Sequence, residues 1–239
     1  MTYVGIDLGT TNSVICSYDG ESVQLYKSPE QNDVTPSAIF IDKRGNRYVG
    51  TRAYNNAVGS PDNAAVLFKQ LIGTSTPIRL PAVDVTMTPE QCSAEILRTL
   101  FGYLPAEIRN SDSTGTVVTV PAAFDQMQKD ATMAATELAG MGKVALMQEP
   151  VAAVMSVMRQ RPGDGIFLVY DLGGGTLDIA IAESIGGRVS LLANGGIAMC
   201  GGRQLDRVVF DSTIEPWLAD NFALPPDWRS VPKYKALYW

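Results

Sequence analysis

Apolar and polar residues alternate with period two over residues 2–8, 13–18 and 22–26. That spacing predicts three short strands joined as a meander, with a turn at Asp19-Gly20. The same succession returns over residues 166–170, 177–182 and 189–192, after the Pro162-Gly163-Asp164-Gly165 turn. Between the two meanders the period changes repeatedly. Ser28 to Pro36 reads as a polar loop, and 38–41 with 47–49 as a hairpin. Residues 51–59 and 62–72 read as helical. A helix capped by Thr88 and opened by Pro89 runs to Leu104, with Ile96, Leu97, Leu100, Phe101 and Leu104 as its apolar stripe. A linker at 110–115 leads to a buried strand at 116–120, a helix at 124–139 stopped by Gly140–Gly142, a strand at 144–147 and a helix at 150–160. A last helix spans 204–222. Strands and helices alternating in this way predict an α/β fold.

Each meander encloses the same residues. The first reads Val4-Gly5-Ile6-Asp7-Leu8-Gly9-Thr10-Thr11-Asn12-Ser13, and the second Tyr170-Asp171-Leu172-Gly173-Gly174-Gly175-Thr176-Leu177-Asp178. One Asp-Leu-Gly-Thr is an ordinary turn, since Asp and Gly are common turn residues. Two long matched copies point instead to a duplicated unit facing itself across a cleft. Glycines let successive N–H groups point into one concavity, which binds anions without charged side chains. Thr10, Thr11 and Thr176 add hydroxyl donors. Asp7 and Asp171 would repel bare phosphate, so carboxylates here imply a bridging cation. Mg²⁺ fits, because it keeps waters and is held by one or two carboxylates plus phosphate oxygens. A nucleoside triphosphate with its metal is the expected occupant. There is no Gly-x-x-x-x-Gly-Lys-Ser/Thr stretch, so the site is not a P-loop.

Composition narrows the chemistry. The 239 residues are 46% hydrophobic and 18% charged, enough for a substantial core, and the net charge of −6 disfavours nucleic-acid and anionic-membrane partners. No histidine is present, which removes Ser-His-Asp and Cys-His catalysis and leaves acid–base work to carboxylates, lysine or water. Cys16, Cys92 and Cys200 are scattered, odd in number and form no Cys-x-x-Cys, as in a reducing compartment. With neither a secretory leader nor an apolar run of membrane length, the expected location is the cytoplasm.

The chain resembles the nucleotide-binding domain of the 70 kDa heat-shock chaperones (the DnaK family), within the actin and sugar-kinase superfamily. Five segments carry the resemblance: Gly5–Ser13, Leu67–Gly73, Val118–Phe124, Gln148–Ala153 and Tyr170–Asp178. A sixth, Gly195–Gly202, is a degraded match. The resemblance implies an actin-like, ribonuclease-H-like duplicated fold, with ATP or ADP and Mg²⁺ as ligands. It implies that Asp7 and Asp171 hold hydrated Mg²⁺, and that Gly9, Thr10, Thr11, Asn12, Gly173, Gly174, Gly175 and Thr176 cradle phosphates. Lys69 would stand near the γ-phosphate, Glu149 and Asp178 would orient or deprotonate the attacking water, and Thr176 would belong to the same catalytic group. Gly201 and Gly202 match a nucleotide-contacting turn, and Pro121 a proline that relays nucleotide state. Taken alone, Lys69 reads as a solvated helix lysine, Glu149-Pro150 as a helix entry and Asp178 as a solvent-facing strand residue.

The same resemblance implies the division of the chain. Lobe one is expected to be 1–162, with an inner subdomain of 1–37 and 117–162 and an outer one of 38–116. A partial lobe two is expected at 163–239. A complete domain of the family is roughly half as long again, so the chain is expected to be a shortened product, a short paralogue or a fragment completed by another chain. Lys129 stands where the family usually has arginine, and Ile197, Arg203 and Gln204 replace residues that are usually polar or acidic. The implied function is Mg²⁺-dependent ATP hydrolysis driving a chaperone, with weak activity from this chain alone. The implied partners are client polypeptides and J-domain or nucleotide-exchange co-chaperones in the parent. Self-association through the incomplete lobe is a further expectation. Two alternatives remain open: a non-catalytic nucleotide-gated binding module, and a small-molecule kinase of the same superfamily.

Overall fold

The computed structural model describes residues 2–111, 113–229 and 231. The opening meander forms as its alternation predicts: β1 (Tyr3–Asp7), β2 (Asn12–Tyr18) and β3 (Val23–Leu25) pair antiparallel, and β4 (Thr35–Pro36) joins β2. β5 (Ala38–Ile41) and β6 (Arg47–Val49) form the expected hairpin, followed by α1 (Thr51–Gly59).

The next stretch corrects the sequence reading. Residues 62–72 are not a helix. β7 (Ala64–Val66) pairs with β5, Leu67 takes a left-handed backbone at φ 60°, and Phe68–Leu71 is a single 3₁₀ turn. Every residue of β5 is buried, so the strand needs partners on both edges. That tertiary demand outweighs the mild helix preference of Ala64-Ala65-Val66. A small hairpin that sequence periodicity did not reveal follows, β8 (Ile78–Leu80) with β9 (Val85–Met87).

α2 (Pro89–Phe101) opens with a reciprocal cap between Thr88 and Gln91, and ends before Leu104 because Pro105 follows. α3 (Ala106–Arg109) leads to β10 (Gly115–Val120), α4 (Gln126–Leu138) and β11 (Val144–Gln148). β10 adds in parallel to β1, and β11 in parallel to β10, completing a sheet of order β11-β10-β1-β2-β3. The main core lies on this sheet. Val4, Ile6, Leu8, Ile15 and Val118 meet Ile96, Leu97 and Leu100 of α2. Cys92 belongs to this core, and burial, with Glu95 and Glu90 nearby, pushes its thiol up to about 12. Only thiolate alkylates readily. Iodoacetamide at pH 8 is therefore expected to leave Cys92 unlabelled in the folded chain and to label it in urea, read by peptide mass mapping.

α5 (Glu149–Gln160) crosses to the second meander, β12 (Gly165–Leu172), β13 (Thr176–Ile185) and β14 (Arg188–Ala198), which pair antiparallel in that order. α5 rests against all three of these strands. The predicted helix over 204–222 forms as one continuous helical run, Gly202–Asn221, with a π turn inside it. α6 (Gly202–Val209) and α7 (Glu215–Asn221) flank a π turn at Phe210–Ile214. β12 is apolar at almost every position, the pattern of a strand covered on both faces. Among the described residues only one face is covered. Ile166, Leu168 and Tyr170 are 70%, 72% and 63% exposed. Ile179 and Ile181 of β13 and Ile197 of β14 continue that open face, which is creased by a 360 Å³ apolar groove. Among the described residues no helix is long and apolar enough to cross a membrane.

Candidate functional site

The first glycine turn is set from beneath by hydroxyls. Gly9 N donates to Ser13 Oγ at 3.2 Å, Ser37 Oγ donates to Gly9 O at 2.7 Å, and the two serine oxygens are 2.9 Å apart and buried. Ser37 N donates to Thr11 O at 2.8 Å. A side chain on Gly9 would overlap the Asn12 carbonyl oxygen, so only glycine admits this turn.

The second turn is braced differently. Gly173 N donates to Thr176 O at 2.9 Å, and the start of α6 grips the loop from outside. Gly202 N donates to Gly173 O at 3.0 Å and Arg203 N to Gly174 O at 3.1 Å. Gln204 Oε1 accepts from Gly201 N at 2.9 Å. A Cβ on Gly201 would lie 2.6 Å from Gly174 C and Gly175 N. Backbone cannot swing aside as a side chain can, so Gly201→Ala must push the second turn out of place. Its expected cost is about 1–3 kcal/mol, read from urea unfolding. An unchanged midpoint would contradict this packing.

The two turns face one another across a cavity of about 830 Å³. Its wall contains Asp7, Gly9, Thr10, Thr11 and Asn12 from one side, with Asp171, Gly173, Gly174, Gly175 and Thr176 from the other. Lys69, Glu149 and Pro121 line it as well. Three residues expected at the site stand outside this wall. Asp178 lies directly across the strand pair from Asp171, and Gly201 and Gly202 back the second turn.

Lys69 Nζ donates to Glu149 Oε1 at 3.0 Å, with side chains 7% and 17% exposed, and lies 5.7 Å from the centre of the Phe124 ring. Both ends are placed by secondary structure. Lys69 belongs to the 3₁₀ turn anchored by buried Phe68, and Glu149 is the first residue of α5. Burial holds the Glu149 carboxyl above the ordinary glutamate range; Lys69 pulls it down, and Asp7 and Asp171 push it up. Asp171 is raised as well, first by burial and then by Asp178 and Asp7, against a lowering pull from Lys69. Carboxylates crowded in this way would be relieved by a cation. Among the described residues no cluster of three or more His, Cys, Asp or Glu could hold a metal by itself. The oxygen pair Asp7 and Asp171 therefore suits an ion that keeps its water and takes phosphate oxygens, which fits Mg²⁺.

Thr119 was not singled out from sequence. Its hydroxyl donates to Asp7 Oδ1 at 2.8 Å and fixes that carboxylate. A hydroxyl inside the otherwise apolar Val117-Val118-Thr119-Val120 run was the available signal. Gln70 and Gln128 also line the cavity, and nothing in the local pattern marked either.

A sequence model of the family described as "Hsp70 protein" matches residues 3–79 and 75–223. Curated relatives agree. The chain is 32% identical to a chaperone protein HscA homolog of Burkholderia ambifaria (strain MC40-6), over 94% of this chain and 39% of that protein. It is 35% identical to the chaperone protein DnaK of Deinococcus proteolyticus, over 92% of this chain and 37% of that protein. An HscA homolog of Herminiimonas arsenicoxydans is 32% identical, over 93% and 38%. The chain thus spans less than two-fifths of the length of these relatives.

Proposed function

Because the chain belongs to the Hsp70 family, with the actin-like ATPase fold that membership implies, we propose that its cleft binds ATP and ADP with Mg²⁺ and carries out the hydrolysis step of a chaperone cycle. The facing glycine turns are the observation that carries this reading, since both line one cavity with Lys69 and Glu149 between them. Gly9, Thr10, Thr11 and Asn12 take one side of the polyphosphate, and Gly173, Gly174, Gly175 and Thr176 the other. Bound Mg²⁺ would neutralise the developing phosphate charge, held through water by Asp7 and Asp171. The Lys69 ammonium faces the terminal phosphate. Glu149, raised above the ordinary carboxylate range, accepts a proton from attacking water more readily than a solvated glutamate would. Asp178 faces Asp171 from the neighbouring strand and adds to the negative charge that a bound cation would offset. Gly201 and Gly202 act by holding the second turn.

The chain divides in this reading into lobe one, 1–162, with subdomains 1–37 plus 117–162 and 38–116, and a partial lobe two from 163. The location is the cytoplasm, and clients and co-chaperones are partners of the longer parent. The β12–β14 face, open and with unpaired edges among the described residues, drives self-association, because an exposed apolar sheet recruits further chains. Sedimentation velocity over a concentration series is expected to show mass increasing with concentration. A monomer throughout would remove this part of the proposal.

Calorimetric titration of the 239-residue chain with ATP, ADP and inorganic tripolyphosphate, each with and without Mg²⁺, tests the site itself. Metal-dependent heat is expected even for tripolyphosphate, since both phosphate turns are present. No metal-dependent binding of any of the three would overturn the reading.

A further inference from the structure

We propose that Gln70 is a positioning residue that ties the Lys69 turn to the second phosphate turn, so that Lys69 is correctly presented only when the two turns have closed on each other. The inference rests on the ATP-site reading and adds a residue to it.

The turn that carries both residues has little freedom. Phe68 and Ile72 on either side are each 1% exposed, and Leu67 enters it with a left-handed backbone. Gln70 N donates to Leu67 O at 3.0 Å, and Ile72 N to Lys69 O at 3.3 Å. A 3₁₀ turn rotates by about a third of a circle per residue. Two successive side chains therefore reach different parts of the same cavity. Lys69 turns to Glu149 at the start of α5, while Gln70 reaches across to Gly175 of the second turn.

The contact at Gly175 is close. A Cβ there would overlap Gln70 Nε2 and lie 3.3 Å from Gln70 Cδ and 3.4 Å from Thr10 Cγ2. Gly175 is not among the glycines with positive φ, so its backbone admits alanine. What a larger residue would meet and displace is the Gln70 carboxamide, with the Thr10 methyl beside it. The neighbouring Gly174 is filled in the same manner by the Thr11 side chain, which comes from the first turn itself. Gln70 therefore couples a third element, the Lys69 turn, to the loop that joins β12 and β13. A carboxamide suits the place: it both donates and accepts, and it brings no charge to a cavity already holding Asp7, Asp171, Lys69 and Glu149.

If the contact is a clasp, Gln70→Ala and Gly175→Ala break the same thing. The first removes the carboxamide and the second displaces it. Their effects on the nucleotide-free chain should then not add. Each single variant is expected to lower the thermal midpoint by about 2–4 °C, and the double variant to unfold no lower than the weaker single. Midpoint losses that sum in the double variant would overturn the clasp. Hydrogen exchange at residues 173–176 gives an independent reading that needs no change at Gly175. Gln70→Ala is expected to speed exchange there about tenfold relative to the β1–β2 turn; unchanged protection would overturn the clasp as well. Under single-turnover conditions with Mg-ATP, Gln70→Ala should slow phosphate release about tenfold while leaving nucleotide affinity within about threefold, because Lys69 is mispresented and the phosphate turns are intact. The midpoint and exchange measurements use no nucleotide. A chain that binds no Mg-ATP would overturn the ATP-site reading while the clasp is still judged on its own.

Discussion

Lys69→Ala is expected to lower whatever phosphate release the chain supports by at least about 100-fold, and to destabilise it in a pH-dependent way. Both effects come from one ion pair. Lys69 and Glu149 are 3.0 Å apart and nearly out of solvent, so deleting the ammonium leaves a buried carboxylate uncompensated. Removing one partner of such a pair costs about 3–5 kcal/mol when the other stays charged. Glu149 can escape by taking a proton. Its carboxyl is already raised by burial, Asp7 and Asp171, and the opposing pull of Lys69 disappears in the variant. A carboxyl raised on folding contributes stability that is present below its unfolded value and lost as pH climbs through its folded value. The deficit relative to the parent chain should therefore be smaller at acid than at alkaline pH, read as urea midpoints at pH 5 and pH 8. A deficit that does not change with pH would mean that Glu149 does not carry the strain.

Asp171→Asn should act in opposite directions on binding and stability. Without metal, Asp171 is held above its ordinary range by burial and by the charges of Asp178 and Asp7. The amide keeps the shape and removes the repulsion, so the nucleotide-free chain should unfold at a higher temperature. The gain should shrink on acidification, because the native carboxyl then protonates and no longer repels. With Mg²⁺ and ATP the same change should weaken binding about 10–100-fold, the usual cost of removing a group that orients a metal's water shell. Differential scanning fluorimetry with and without Mg-ATP reads both effects on one plate. A variant destabilised in both conditions would mean that Asp171 is a structural group rather than half of a cation site.

The parts of the molecule legible in the sequence are those in which local pattern and tertiary demand agree. The alternation of residues 2–8 and 13–18 became β1 and β2, because one face of each strand meets the core. Residues 62–72 were misread because nothing local signals that β5 lacks a partner, or that Leu67 will accept a left-handed backbone to supply one. The single helix read over 204–222 forms, and what the reading lacks is the local change to a π turn within it. The mark of that turn in the sequence is Pro216, which has no N–H to give the preceding turn and crowds it, so the ladder widens at Phe210–Ile214. At the site, the paired glycine turns announced themselves through repetition. Lys69 and Glu149 did not: each looks ordinary by itself, and only folding brings them together across 80 positions. Thr119 and Gln70 act through a neighbouring strand and a facing loop, relations that periodicity along one segment does not encode.

The repeat is closely matched in its turns and unequal in its supports. Asp7 stands on a strand flanked on both sides, by β2 and by β10, and Thr119 of β10 fixes its carboxylate. Asp171 stands on β12, which among the described residues has a neighbour on one side only. The two carboxylates are in this respect the jaws of a vice with unequal supports, the bolted jaw braced from both sides and the other, among the described residues, from one. Metal and phosphate would seat first against the bolted jaw. Any adjustment to what lies between the jaws would then fall mainly on the less supported one, where a symmetric clamp of equal stiffness would divide it between its two halves.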